Sequence, residues 1–442
     1  MEGDFELMGK INAATLNLRN IYFLISKLLV FFIIFDNARM GLAIPQLIGT
    51  VISLFRDFFL FAGLLILFSV KRKILFPKFL FFIFLFFPIA LYICIANIIT
   101  GLSETSIVAV INGIYWNCRP ILIFLIFYNL ENVTGKNCTC FVNFFLTSVV
   151  ILFFVSAFLY FFAPFLLNKM YFKFRVSLGN PSMIAAEYNA AAIVILYFRP
   201  FPKLKNFIFL TIYVIACLFT MCATANFIMV VILIIGLLNR KTRIMVLPIF
   251  VVFFTVVVVF LIFFQTKQTK LLLEFIQKRI LEINSVVTKY VFHNSDSINS
   301  DSFRGREAQL SKMLKTYPKY GFIFGIGDIS GTGGKYSLEN IYMATFSNYG
   351  FFGIALYVGF LILVFLKSIF YLLYKKQSEL FMFAIFLALY GLTLDLINTY
   401  SLSGIFVLSG LFIFNGKRFC FYKQDNSLFH YSIISHKIIT RS

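Results

Sequence analysis

Several charged side chains lie inside long apolar runs of this sequence. Arg56, Arg119 and Glu187 are each flanked by residues such as Phe, Leu, Ile and Ala. A charge inside a bilayer costs at least about 2.5–3.5 kcal/mol on insertion scales, so such residues are expected to be paired or functional. Guanidinium groups bind anions such as phosphate, whereas a carboxylate can accept a proton from a hydroxyl group. We therefore expect a polar cavity; ion pairing of Arg56 or Arg119 with Asp57 or Glu187 is the alternative.

A basic, aromatic segment precedes Glu187. It spans residues 169–182, includes Arg175 and ends in the turn sequence Gly179-Asn180-Pro181 before the next apolar run. Because helix N-termini with nearby Arg and Lys residues bind anionic groups, this segment predicts a phosphate site.

A second polar segment combines arginines with glycines. Arg304 and Arg306 are followed by six glycines within residues 321–334, among them Gly325 and Gly327. Backbone N–H groups of such a tract can approach a ligand closely, and a flexible hinge is the alternative. The tract lacks the lysine and the strand-turn-helix setting of a nucleotide-binding loop.

The candidate base of the sequence is Glu339, which is followed by Asn340 where the glycine-rich segment meets an apolar run. A carboxylate at this position can take a proton from a hydroxyl group if burial raises its pKa. The alternative is a charge favoured by the N-terminal end of a helix.

The amino-acid composition indicates whether these residues lie in a soluble protein or in a membrane protein. The chain has 442 residues, of which 61% are hydrophobic and 13% charged, against about 25% charged in soluble domains. A soluble or disordered chain is therefore excluded. The apolar runs have the length of membrane-crossing helices rather than of barrel strands. We predict an all-α polytopic membrane protein with about twelve spans, near residues 20–36, 48–70, 79–99, 107–130, 141–167, 183–198, 206–223, 225–238, 244–264, 341–366, 380–397 and 399–414.

This pattern divides the chain into four parts. Residues 1–264 form a bundle of nine spans, 265–340 a large loop with helices and the glycine tract, 341–414 three further spans, and 415–442 a tail. The weakest boundary separates 206–223 from 225–238, because little polar sequence lies between them. If these two runs were one broken element, the sidedness of everything downstream would change.

The distribution of basic residues predicts the orientation. With the N-terminus in the cytoplasm, 21 Lys and Arg residues fall in inside segments, against four in short outside loops. Cytoplasmic loops collect Lys and Arg, so both termini are expected inside and the large loop outside. The same rule explains the net charge of +21 without a nucleic-acid partner. The intramembrane charges then crowd the outer half of the bundle.

The cysteine spacing predicts no metal site.

Three segments together resemble a known family. They read RVSLGNPSMIAAEYN from residue 175, YGFIFGIGDISGTGG from residue 320, and SLENIYMATFSNYGFFG from residue 337. With the long outer loop, they are similar to the O-antigen polymerase and ligase superfamily of bacterial surface-polysaccharide assembly. The ligase branch carries a His-Asn pair followed by a glycine eleven positions on. This chain has Glu339-Asn340 and Gly350 at that spacing, which favours the polymerase branch.

The resemblance implies a GT-C-like, metal-independent glycosyltransferase without a cofactor in the bacterial inner membrane. Its substrate would be an undecaprenyl-pyrophosphate-linked oligosaccharide, and a chain-length regulator is a possible partner. Arg175, Arg304 and Arg306 would bind pyrophosphate, and Glu339 would activate the acceptor hydroxyl. The remaining implied binding residues are Arg56, Arg119, Glu187, Asn340, Gly325 and Gly327. An O-antigen ligase and a lipid-linked oligosaccharide flippase are the alternatives.

Overall fold

The described part of the chain is almost entirely helical. The computed structural model describes residues 2–35, 42, 46–70, 74–75, 107–134, 139–167, 176–178, 180–220, 222–263, 308, 311, 315, 321–325, 341–375 and 378–391. Within these ranges there is no strand, only an isolated bridge between Leu42 and Leu167. The helices are α1 (Glu2–Phe35), α2 (Gln46–Val70), α3 (Ile107–Tyr128), α4 (Leu130–Thr134), α5 (Thr139–Phe162), α6 (Pro181–Phe198), α7 (Lys203–Phe219), α8 (Ala223–Leu238), α9 (Arg240–Phe263), α10 (Gly321–Phe324), α11 (Ile341–Lys375) and α12 (Glu379–Gly391).

Five segments in these ranges are long and apolar enough to cross a membrane. They are Asn17–Phe35, Val51–Val70, Cys140–Phe162, Pro181–Phe198 and Tyr349–Tyr374. This agrees with the prediction of an all-α membrane protein. The twelve-span total and the GT-C-like arrangement stay predictions, and the predicted spans 79–99 and 399–414 lie outside the described residues.

Helix α6 occupies the centre of the bundle. It packs against α5, α7, α8 and α12, and 83% of its span is buried inside the protein. Its small residues, including Ala185, Ala186 and Ala190, are fully buried, and small side chains let neighbouring helices approach closely. The outer helices instead expose large apolar side chains such as Phe58, Phe158 and Leu366, which suit contact with lipid.

Helices α7 and α8 are separate and run in opposite directions. The chain breaks at Thr220, and α8 begins beside Ser182 at the start of α6, where the Cys222 thiol donates to the Ser182 hydroxyl. At its other end, Gly236 of α8 lies beside Leu196, near the end of α6. Helix α8 is therefore parallel to α6, while α7 follows α6 after a short turn and returns antiparallel. The two predicted runs are two helices.

The bundle has two distinct ends. The Ser182 end carries the starts of α6 and α8 and the ends of α5 and α7. The Asn239 end carries the turn at Asn239, whose side chain donates to the Ser378 hydroxyl at 2.9 Å before α12 begins. Several basic residues lie at the Asn239 end, either between helices or in the first turn of a helix: Arg199, Lys203, Lys205, Arg240 and Arg243.

One described segment of the large loop, residues 321–325, packs against α11. Helix α11 is kinked at Gly350, where φ is 65° and ψ is −160°. The short helix α10 and Gly325, with φ of 81°, pack directly against this kink. Phe322 of α10 contacts the rings of Phe346 and Phe351, with centroids 5.9 Å and 6.4 Å away. Further back in the loop, residues 308, 311 and 315 have helical geometry and exposed side chains.

Replacing Gly350 by Ala should destabilise the protein. The backbone conformation at Gly350 is nearly restricted to glycine, and a Cβ there would lie 2.6 Å from the Gly325 nitrogen. We expect a loss of about 1–3 kcal/mol in the free energy of unfolding, measured as a lower thermal midpoint in detergent. Gly359→Ala in the same helix is the control, because nothing lies within 4 Å of its Cβ position. Equal midpoints for both variants would contradict the docking.

Candidate functional site

The structure describes four of the predicted site residues. Arg56 lies on α2, Arg119 on α3, Glu187 on α6, and Gly325 directly after α10. The other predicted site residues lie outside the described residues: Arg175, Arg304, Arg306, Gly327, Glu339 and Asn340.

Arg56 forms an ion pair with its sequence neighbour. Its Nε lies 3.2 Å from Oδ1 of Asp57, and the Arg56 side chain is 7% exposed against 27% for Asp57. The ion-pairing alternative is therefore confirmed for Arg56. The pair partly neutralises the guanidinium charge, which lowers the cost of placing it in an apolar helix.

The Arg119 side chain of α3 is buried inside the protein. Its side chain is 1% exposed, and its guanidinium carbon lies 5.9 Å from the ring centroid of Tyr115, one turn earlier. Tyr115 in turn stacks on Phe61 of α2 at 5.7 Å. An aromatic face attracts a cation more strongly when both are removed from water. Pro120 follows directly inside α3 and removes one helix hydrogen bond beside Arg119.

Glu187 lies inside the bundle on α6. Its side chain is fully buried, and it lies within electrostatic range of Tyr188 on the same helix and Tyr390 on α12. The next two residues, Tyr188 and Asn189, are also fully buried. Three consecutive polar side chains thus lie within the most buried helix described, where each needs polar neighbours.

Those neighbours form a cluster near the start of α6, which we call the Ser182 cluster. The Cys222 thiol donates to the Ser182 hydroxyl at 3.4 Å, the Cys217 thiol donates to the Asn226 amide oxygen at 3.4 Å, and the Asn189 amide nitrogen donates to the Ala225 carbonyl at 3.1 Å. The Tyr390 hydroxyl donates to the Ser182 carbonyl at 3.2 Å. The members of the cluster are Ser182, Asn189, Cys217, Cys222, Asn226 and Tyr390.

The first amides of α6 are already used within the chain. The Ser182 N–H donates to the Asn180 side chain at 3.0 Å, and the Met183 and Ile184 N–H groups donate to the Asn180 carbonyl at 3.0 Å and 3.1 Å. Pro181 has no N–H group. The phosphate site expected at this helix start therefore has no amide donor in the first turn, and an anion there would depend on side chains and the helix dipole.

Helix α12 connects two of the sequence segments singled out above. The Tyr342 hydroxyl, near the start of α11, donates to the Ala388 carbonyl of α12 at 3.0 Å. Two residues further on, Tyr390 donates to Ser182 at the start of α6. The segment that follows Glu339 and the segment that contains Glu187 therefore flank the same turn of α12.

Sequence reasoning missed the neutral members of this site. It weighed charged residues in apolar runs, whereas Asn189, Asn226 and Tyr390 are uncharged. The same burial argument applies to them, because an amide or hydroxyl group inside an apolar helix also needs a partner. Among the residues that the structure describes, no group of three His, Cys, Asp or Glu side chains could hold a metal ion.

At the Asn239 end, a second buried carboxylate lies in a different setting. Glu379 at the start of α12 is 4% exposed and lies 3.5 Å from the Asn239 amide nitrogen. Burial lowers the pKa of the nearby Arg199 guanidinium, and the Glu379 charge opposes this shift. This end thus supplies a buried acid that is remote from the Ser182 cluster.

The five long apolar helices of the described residues are compatible with an all-α membrane protein. No protein-family model matches the chain, and no curated protein sequence matches it either.

Removing the cap of α6 should destabilise the protein. Asn180→Ala deletes the side-chain acceptor of the Ser182 N–H group, and we expect a loss of about 1 kcal/mol. Asn180→Asp keeps an acceptor oxygen and is the matched control. Thermal unfolding of the purified variants in detergent measures the effect. An Ala variant as stable as wild type would mean that the cap contributes nothing.

Proposed function

We propose that this chain is a membrane glycosyltransferase that polymerises the lipid-linked repeat units of a bacterial surface polysaccharide, as O-antigen polymerases do. The three motif segments and the long loop support the family. The proximity of two of these segments supports a shared site, because Tyr342 and Ser182 are joined through one turn of α12. That proximity is the single observation on which the proposal depends most.

The proposed reaction transfers a glycan between two lipid-linked molecules. The acceptor hydroxyl oxygen, at the non-reducing end of one repeat unit, attacks the anomeric carbon of the glycan on undecaprenyl pyrophosphate. A glycosidic C–O bond forms and the bond from the anomeric carbon to the pyrophosphate oxygen breaks. The hydroxyl proton passes to Glu339, and undecaprenyl pyrophosphate leaves with the bonding electrons.

Each proposed group has a role that follows from its charge. Arg175, Arg304 and Arg306 would stabilise the negative charge that develops on the leaving pyrophosphate, a task that guanidinium groups can perform without a metal. Buried Glu187 and Arg119 would shape the polar wall of the site. Arg56 contributes less charge to such a wall, because Asp57 already pairs with it.

The proposed orientation places the Ser182 end outside the cytoplasm. Arg199, Lys203, Lys205, Arg240 and Arg243 lie at the opposite end, and the excess of basic residues in cytoplasmic loops favours that end as the inner one. The Ser182 cluster and the loop segment docked on α11 would then face the compartment where surface polysaccharide is assembled, in the inner membrane of the cell.

The orientation can be tested by thiol labelling. In a chain with its seven native cysteines replaced, Ser311→Cys should react with a membrane-impermeant maleimide added to intact spheroplasts, because Ser311 is exposed in the large loop. Arg243→Cys, exposed at the Asn239 end, is the control and should react only after lysis. Labelling of Arg243→Cys but not Ser311→Cys in intact spheroplasts would reverse the orientation and remove the proposed site from its substrate.

The activity can be tested with a matched pair of buried acids. Loss of the gene should leave lipid A–core capped with a single repeat unit, and wild-type chain should restore the ladder. Glu187→Gln should shorten or abolish the ladder, because it removes the charge at the Ser182 end. Glu379→Gln, at the Asn239 end, should restore a ladder of wild-type length. Membrane levels of both variants are compared by immunoblot.

Purified wild-type chain should also form polymer from lipid-linked repeat units, and EDTA should not stop it. Other phenotypes would identify other functions: bare core with polymer retained on the lipid carrier indicates a ligase, and no outer product of either kind indicates a flippase. Either result would overturn the proposed polymerase.

A further inference from the structure

We propose that the hydroxyl groups of Tyr342 and Tyr390 are positioning groups that fix α11 and α6 relative to each other through α12. This inference rests on the proposed function, because the two helices carry the segments assigned to the glycosyl-transfer site. Neither tyrosine is proposed to touch the substrate. Their task is to hold the start of α11, directly after Glu339 and Asn340 in the sequence, in register with the start of α6.

The geometry forms one continuous connection. The Tyr342 hydroxyl donates to the Ala388 carbonyl at 3.0 Å, and the Tyr390 hydroxyl donates to the Ser182 carbonyl at 3.2 Å. Ala388 and Tyr390 belong to the same turn of α12, so a displacement of this turn changes both contacts.

The carbonyl that accepts the Tyr390 hydrogen bond lies in the first turn of α6, close in sequence to Glu187. The Ser182 carbonyl belongs to the first turn of α6, and its oxygen has two lone pairs, one of which remains for Tyr390 after the helical hydrogen bond. Ser182 also receives the Cys222 thiol hydrogen bond, and Glu187 follows little more than one turn later. Tyr390 therefore fixes the same stretch of helix that carries the buried carboxylate.

Ring contacts keep both tyrosines in place without their hydroxyl groups. Tyr342 packs edge-on against Tyr357 with centroids 5.5 Å apart, and Tyr390 packs against Phe386 at 5.1 Å. Tyr390 is fully buried. Replacement by Phe should therefore retain the packing and remove the hydrogen bond from the hydroxyl group to the backbone carbonyl. In Tyr390→Phe the hydrogen bond of the same hydroxyl with the Asn189 side chain is lost as well.

The chain contains two matched controls. The Tyr22 hydroxyl donates to the Ile126 carbonyl at 2.7 Å, and the Tyr213 hydroxyl donates to the Leu146 carbonyl at 2.8 Å. Both are buried tyrosines that join neighbouring helices by the same type of bond. Their bonds connect α1 to α3 and α7 to α5, and neither joins the two motif segments.

The test compares four Tyr→Phe variants in purified form. Each variant loses the hydrogen bond from its tyrosine hydroxyl to a backbone carbonyl, so all four should show small decreases in thermal midpoint. Tyr342→Phe and Tyr390→Phe should lower the turnover number for polymer formation by about tenfold or more, because small displacements of reacting groups reduce rates strongly. Their KM for the lipid-linked repeat unit should stay within about twofold of wild type, because neither hydroxyl group contacts the bound substrate.

The controls and the double variant decide the interpretation. Tyr22→Phe and Tyr213→Phe should keep turnover within about twofold of wild type. The double variant Tyr342→Phe/Tyr390→Phe should fall little further than the worse single variant, because both bonds act through the same turn of α12. Equal turnover in Tyr390→Phe and Tyr213→Phe would overturn the positioning role.

A second readout does not depend on the reaction. Spin labels at residues 183 and 343 report the distance between the starts of α6 and α11. We expect a broader distance distribution in Tyr390→Phe than in Tyr213→Phe. If wild-type chain forms no polymer, the proposed function fails while this measurement still tests the connection. If polymer forms but the two distributions are equal, the positioning inference alone fails.

Discussion

The rest of the structure depends on the need to satisfy polar groups inside a bundle of apolar helices. Helix α6 is the clearest case, because it is buried on all sides and still carries Glu187, Tyr188 and Asn189 in succession. In a lipid-exposed helix these side chains would be costly. The fold places them between α5, α7, α8 and α12, where thiol, amide and hydroxyl groups of other helices meet the start of α6. Helix α6 thus combines extensive burial with several buried polar side chains.

The second constraint is the attachment of the large loop to the bundle. Helix α11 bends at Gly350 in a conformation nearly restricted to glycine, and α10 with Gly325 fills the bend. Gly325 was expected to present a backbone amide to a ligand. Its described surroundings give it a packing role as well, since the backbones of Gly325 and Gly350 approach too closely for a side chain. The loop and the helix that follows it are therefore coupled near the Ser182 end.

The two ends of the bundle carry different kinds of polar side chain. Basic side chains lie in the helix turns at the Asn239 end, while the thiol, amide and tyrosine groups of the Ser182 cluster lie at the other. Arg56 illustrates how burial alters the meaning of a charged residue. As an isolated cation it suggested a ligand site, but the adjacent Asp57 supplies its counter-charge. Arg119 lies instead against an aromatic ring that connects α2 and α3.

The sequence by itself predicted a membrane environment, the helical class and much of the local structure. Long apolar runs admit little but helices in a bilayer, because every backbone group must be satisfied within its own segment. Asn180-Pro181 was recognisable as a helix start, and Gly350 was noted at its spacing. Only the tertiary structure decided which polar groups meet. Tyr390 and Ser182 are separated by 208 residues, and Tyr342 and Ala388 by 46. Such contacts depend on the packing and direction of whole helices, and the antiparallel course of α7 and α8 could not be inferred from a boundary with so few polar residues. Local periodicity specifies which side of a helix is apolar, but it carries no information about the helix that will cover it.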